Sequence, residues 1–281
     1  MVEGEDTGFS MFSVFVAADA EEEPAAKEET KPTAVALAAE FVDMSGEKWL
    51  RTQSSIGAGA FGAVYVAMSS TGLLGAVKAF NIESQGGNLD VDTLVNEVAI
   101  LSEFRNEYLA GYVSCGISGS HFFIVMEYMA AGSMRSMLQE VHKIPPLAVQ
   151  HYACDVLRGL AYLHDKGVTH CDVKPDNVLL AGDGTAKLGD FGSTKLGGGT
   201  DSGKIRGTAR YMSPEAANGD WSHPADIFSL GLVMAEMVSG VNPWSKIEEG
   251  NDTNFLMRLS RDQTLAPEIP DGMDPLLQSA V

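Results

Sequence analysis

The chain is 281 residues long, about 45% apolar, and carries a formal net charge of −19. That is enough apolar material for one large domain or two small lobes with a true core. The charge argues against nonspecific binding to a nucleic-acid backbone and against an anionic membrane surface.

In chain order, residues 1–48 read as an acidic, disordered tail. They hold twelve carboxylates against three lysines, and EEEPAAKEETKP is Pro-interrupted and low in complexity. Two apolar patches, MFSVFVAA at 11–18 and TAVALAAEFV at 33–42, are either segments that dock a partner or amphipathic stretches of the tail. From Trp49 the pattern becomes short β-rich runs: WLRTQSSIG, AVYVAMSS, GAVKAFNI, GYVSCGIS and HFFIVMEY. A helix is predicted over about 90–104, with Leu94, Val98 and Leu101 on one face. After Gly132 the chain turns helical. A long amphipathic helix starts at Pro145 and Pro146 and stops at Gly167, a hairpin turns at Asp183–Gly184, and SHPADIFSLGLVMAEMVSG reads as a buried helix. Strands first and helices later predict an α+β, two-lobed fold, with a small β-rich lobe over about 49–129 and a larger helical lobe over about 130–281. Cys115, Cys154 and Cys171 show no paired spacing, which argues for a reducing compartment and a cytoplasmic protein. No apolar run reaches the ~18 residues of a membrane span, so membrane insertion is not expected.

Five motifs carry chemistry. Gly57, Gly59 and Gly62 lie between two strands, where glycines let backbone N–H groups approach a polyphosphate. Alone, such a loop reads equally as a flexible hairpin. Lys78 ends a strand and Glu97 follows in a helix; each alone reads as a solvated surface charge. His170-Cys171-Asp172-Val173-Lys174-Pro175-Asp176-Asn177 brings a carboxylate to orient a hydroxyl, a cation for a phosphate and an oxygen ligand for magnesium within one loop. Asp190-Phe191-Gly192 follows a tight hairpin. Gly207 to Glu215, GTARYMSPE, precedes Asp226 and Gly231 in ADIFSLG.

Taken together, residues from about 49 to 281 resemble a eukaryotic protein kinase domain, with every motif in family order. Lys174 and GTARYMSPE resemble the serine/threonine kinases, and the run through VNPW resembles the sterile-type group, which includes kinases acting on MAP kinase kinases. The resemblance implies phosphate transfer from ATP to serine or threonine hydroxyls of a protein substrate, with another kinase as one such substrate, and Mg²⁺ (Mn²⁺ as a substitute) as cofactor. It implies that Asp172, Lys174, Lys78 and Glu97 are catalytic. Ile56, Gly57, Gly59, Gly62, Val64, Ala76, Lys78, the gatekeeper Met126, the hinge residues Glu127 and Met129, and Leu179 would hold ATP. Asn177 and Asp190 would hold the metal, and Leu101, His170 and Phe191 would stack as a regulatory spine. The alternative is a pseudokinase or scaffold that binds nucleotide or partners without turnover.

Two departures from the family pattern stand out. Cys171 occupies the place of an arginine that usually neutralises a phosphate on the activation segment, for which Thr200 and Ser202 are candidate sites. The chain also lacks the family's further helices, so it reads as a fragment or shortened product. Glu215 is then expected without its arginine partner, and FSLGLVMAEMV with an exposed apolar face.

Overall fold

In the computed structural model, the described residues are 36–59, 62–82, 98, 102–197, 199–200, 206–247, 250–262, 264–271 and 273. The apolar patch at 11–18 lies outside them, as do Glu97, Leu101 and most of the helix expected over 90–104; of that helix, 98, 102 and 103 are described and helical.

The first half forms a seven-stranded antiparallel sheet from β1 (Glu40–Val42), β2 (Lys48–Arg51), β3 (Gly57–Gly59), β4 (Gly62–Ser69), β5 (Leu74–Asn81), β6 (Tyr112–Ser118) and β7 (His121–Glu127). The order is β1-β2-β4-β5-β7-β6, with β3 also paired to β4. Alternation decides the two faces. Trp49, Tyr65, Ala67, Val77, Ala79, Phe123 and Val125 point into one cluster; Val64, Val66, Ala76, Lys78 and Met126 take the opposite parity.

Residues 36–48, expected to belong to the tail over 1–48, are instead part of the fold. Leu37 and Phe41, 1% and 4% exposed, fill the first cluster. Phe41 packs edge-on against Phe123, and Arg51 donates to the carbonyl of Leu37. The fold therefore reaches back at least to Ala36, not only to Trp49. Burial of two large side chains overrides an acidic, alanine-rich context. Asp43 then fastens the sheet's two outer strands. Its carboxylate accepts the N–H groups of Ser45 and Glu47, the Ser45 hydroxyl, Trp49 Nε1 at 2.9 Å and Ser114 Oγ at 2.6 Å, while Met44 N–H donates to Cys115 O. Burial alone would raise its pKa, but these donors hold it down at about 2.

The second half is helical. Its described helices are α1 (Met134–Val141), α2 (Pro146–Asp165), the short α3 (Pro214–Ala217), α4 (His223–Ser239) and α5 (Asp252–Leu259). Small strand pairs lie between them: β9 (Val178–Leu180) with β10 (Ala186–Leu188), β8 (Val168–Thr169) with β11 (Lys195–Leu196), and β12 (Gly199–Thr200) with β13 (Asp220–Trp221). Helix α2 starts and stops within a residue or two of its predicted limits. The β9–β10 hairpin turns through Asp183–Gly184 as the dipeptide predicts. Helix α4 is the lobe's axis. Leu230, Leu232, Val233, Met234, Ala235 and Met237 are each at most 2% exposed, packed in one core with Trp244, Phe255, Leu259 and Met273. The exposed apolar face expected for this helix is not observed, and Glu215 sits half-buried in α3. No helix among the described residues is long and apolar enough to cross a membrane.

A carboxylate inside so apolar a helix must be paired. Glu236 is: Arg135 of α1 meets it at 2.5 Å, and the Tyr211 hydroxyl donates to it at 2.6 Å. Arg135 also bonds the Tyr211 hydroxyl and Asp176, so one guanidinium ties α1, α4 and the segment around Tyr211 together.

Candidate active site

The glycine loop is a strand-to-strand connection. Gly57 pairs with Val64 and Gly59 with Gly62 across β3 and β4. Gly62 is required by contact as well as by conformation. At φ 151° a Cβ there would lie 1.9 Å from Ala79 O, so any side chain would force β4 off β5. Val64 pairs with Lys78, Val66 with Ala76, and Ala76 with Met126, which brings Val64, Ala76, Lys78 and Met126 onto one face of the sheet. Ile56 is exposed beside them, with its N–H on Val64 O.

Beyond β7 the chain runs through Glu127 and the buried Met129 into α1. The Glu127 carboxylate is engaged elsewhere: Lys187 Nζ of β10 lies 2.8 and 3.0 Å from its two oxygens, and Gly111 N–H donates to it. A base bound at this hinge would therefore meet backbone rather than the Glu127 side chain. Leu179, on β9, lies so close to Gly189 that a Cβ at 189 would fall 2.6 Å from its Cδ1.

The loop after β8 gathers the polar groups. Asp172 is 8% exposed. Lys174 Nζ lies 2.8 Å from Asp172 Oδ2 and 2.8 Å from Thr208 Oγ1, and the Thr208 hydroxyl donates to Asp172 Oδ1 at 2.8 Å. Asn177 Nδ2 donates to the main-chain oxygen of Asp172 at 2.8 Å and to Oδ2 at 3.1 Å, which leaves Asn177 Oδ1 with no hydrogen bond among the described residues. Gly207 lets Thr208 come this close. At φ 75°, a Cβ on it would lie 2.3 Å from Cys171 O.

Asp190 Oδ1 lies 2.6 Å from Lys78 Nζ, which joins the sheet lobe to the helical lobe. Burial works to raise the Asp190 pKa, but the Lys78 ammonium, with smaller contributions from His170 and Lys174, holds it below the usual carboxylate value. Asp190 itself is left-handed, at φ 56° and ψ 81°. His170 and Phe191 pack at 5.4 Å between ring centroids. The Asp172 N–H donates to His170 Nδ1, and His170 Nε2 lies 3.1 Å from Gly189 O. The whole loop hangs from α4: the 1%-exposed Asp226 accepts His170 N–H at 2.8 Å on Oδ2 and Cys171 N–H at 2.9 Å on Oδ1. Cys171 is also left-handed, at φ 65°, and buried. Its thiol lies against Thr169 O, and burial first, then the Asp226 charge, pushes its pKa up to about 12.

The structure thus brings together Lys78, the loop residues Asp172, Lys174 and Asn177, and Asp190 from three separated stretches of sequence. Glu97, the Lys78 partner implied by the resemblance, lies outside the described residues, as does Leu101. Sequence reasoning passed over Thr208 as a partner of Asp172, Asp226 as the hanger of the loop, and Arg135 with Glu236. A charged residue within an apolar helix was the available signal for the last two acids.

A glycine-looped sheet whose Lys78 reaches Asp190 of the helical lobe, beside one loop that gathers Asp172, Lys174 and Asn177, fits a phosphotransferase domain of the two-lobed type. The chain belongs to the protein kinase domain family, whose model matches residues 50–276. It is 35% identical over 224 residues to Mitogen-activated protein kinase kinase kinase 1 of Arabidopsis thaliana, covering 78% of this chain and 36% of that protein. It is 32% identical over 249 residues to Serine/threonine-protein kinase BCK1/SLK1/SSP31 of Saccharomyces cerevisiae, covering 85% of this chain and 16% of that one. A third relative, MST11 of Pyricularia oryzae, named as a mitogen-activated protein kinase kinase kinase, is 32% identical over 225 residues, 72% of this chain and 25% of its own length. The chain spans little more than a third, or less, of these relatives.

Proposed function

We propose that this chain is a serine/threonine protein kinase that transfers the γ-phosphate of ATP to a protein hydroxyl, with another kinase as its substrate class, in a MAP-kinase-type cascade. The observation that carries the reading is the closed ring of Asp172, Lys174 and Thr208. It fixes a carboxylate for an incoming hydroxyl and places an ammonium beside the place where a transferring phosphate would sit. The names of the relatives support the cascade and the residue class.

Asp190 and Asn177 present hard oxygen atoms suited to Mg²⁺, with Mn²⁺ as a substitute. The bound ion would neutralise phosphate charge. Lys78 would hold the α- and β-phosphates, and Gly57, Gly59, Gly62 and Val64 would cover them. Ala76, Met126, the hinge backbone at Glu127 and Met129, and Leu179 would enclose the base, with Ile56 at its mouth. Asp172 would orient the substrate hydroxyl and accept its proton. Lys78 in turn positions Asp190 across the lobes, the geometry through which the sheet acts on the metal site. Cytoplasmic residence belongs to the same proposal, supported by three cysteines that are free thiols.

The test is transfer of labelled phosphate from Mg-ATP to a kinase-derived protein substrate, with phosphoamino-acid analysis. Phosphoserine or phosphothreonine formed by wild type and lost in Asp190→Asn supports the reading; equal transfer by both proteins overturns it.

A further inference from the structure

The helical lobe holds a second polar cluster that the phosphate chemistry does not use. His164, in the last turn of α2, and His223, the first residue of α4, stack face to face with centroids 4.2 Å apart and planes 3° from parallel. His164 Nε2 lies 2.8 Å from Asp226 Oδ2, the oxygen that also receives the His170 N–H. Two imidazoles therefore stand one layer behind the carboxylate from which the Asp172 loop hangs.

The two rings are unequal in their electrostatic surroundings. His164 faces the Asp226 carboxylate and stands in the last turn of its helix. His223 stands at the N-terminus of a 17-residue helix, where the dipole disfavours a cation. Partial burial and then His164 lower the pKa of His223, against the opposing pull of Asp226. Among the described residues, those are the charged groups that shift it. On the neighbouring elements, Cys171 stays a neutral thiol, Lys195 and Arg206 act on Cys171, Asp165 at the end of α2 is exposed, and Asp220 of β13 is half-buried.

We infer that His223 is a positioning residue: stacked on His164, its neutral ring lets the Asp226 clasp hold the Asp172 loop near neutral pH, and the clasp loosens when His223 takes a proton. The inference rests on the kinase reading for its catalytic consequence, though not for the clasp itself. A charge on His223 at stacking distance would disturb the His164 ring and strain the His164–Asp226 contact. The sign follows from the depressed pKa of His223. The unfolded chain takes the proton more readily, so the stability this ring contributes is complete above about pH 6.5 and is lost as pH falls below it.

The experiment has two arms. In the first, the histidine ring signals of the full chain are titrated by NMR, assigned through His164→Asn and His223→Phe. His223 is expected to titrate below about 6.5, and to do so nearer that value in His164→Asn. Titration of His223 at or above about 6.5 in the wild type overturns the inference, whatever the variants do. In the second arm, phosphate transfer is followed from pH 8 to 5, each protein normalised to its own maximum. The acid-side midpoint is expected to fall by about half a pH unit or more in His223→Phe, which keeps a stacked ring but cannot take a proton. An unchanged midpoint in an active variant also overturns it. If neither protein transfers phosphate at any pH, the kinase reading fails, and the NMR arm still decides the clasp.

Discussion

The hydroxyl of Thr208 is bonded to the carboxylate of Asp172 at 2.8 Å, although the two lie 36 residues apart. The segment that leads to Tyr211 and α3 is thereby coupled directly to the group expected to orient the substrate. Thr208→Val should lower kcat by about 10–10² with a smaller change in KM for ATP, while Thr208→Ser should retain most activity. Steady-state kinetics would refute the coupling if the valine variant matched wild type.

Lys78→Met and Asp190→Asn each remove one end of a 2.6 Å contact between the lobes. Each should reduce transfer by about 10²–10³. Because the two act on one phosphate-and-metal site, the double variant should be little worse than either single one. Strictly multiplicative losses would mean that the contact has no catalytic part.

Activity should depend little on phosphates in the activation segment. Cys171 is a buried, protonated thiol and cannot neutralise an anion. Phosphatase treatment should leave the rate within about twofold, and Cys171→Arg should create sensitivity where there was little. A tenfold loss from the wild type would instead assign the arginine's part to Lys195 and Arg206, whose charges already reach Cys171. The same burial predicts that iodoacetamide labels the exposed Cys154 well before Cys171 or Cys115.

Arg135→Ala should destabilise the chain by about 2–4 kcal/mol in urea unfolding. It strands the Glu236 carboxylate, 5% exposed, though the guanidinium's own 29% exposure puts the effect toward the lower end for broken buried pairs. Arg135→Met with Glu236→Leu should recover much of that loss. A loss under about 0.5 kcal/mol in the single variant would show the pair to be no more than a surface contact.

Asp43→Asn should cost about 1–3 kcal/mol at pH 7, because the amide group must turn a donor toward Trp49 Nε1 or Ser114 Oγ. The carboxylate's pKa is depressed to about 2, so its contribution is present above about pH 4 and fades as pH falls toward 2. Thermal melts of both proteins should converge in that window; a constant gap down to pH 2 would count against the assignment.

The candidate site was legible because its chemistry is local in sequence. Asp172, Lys174 and Asn177 lie within one loop, and their spacing alone orders them. The lobes were legible because period-two strands precede period-three-and-a-half helices. Less was readable wherever a residue's meaning depends on a distant neighbour. Arg135 and Glu236 are 101 positions apart, and His164 and His223 meet only because α2 and α4 cross. Leu37 and Phe41 misled for another reason. Their alanine-rich, acidic surroundings carry a local preference for helix or tail, and only the interior of the curled sheet outweighs it.

That curl has a practical side. Asp43 and Met44 join β1 to β6, the first and last strands of the sheet order, so neither outer strand offers its full row of N–H and C=O groups to another molecule. Cutting the chain back to Trp49 would take away both the plug and the clasp. It would bare two unpaired borders at once and give a folded-looking protein with a template for self-addition.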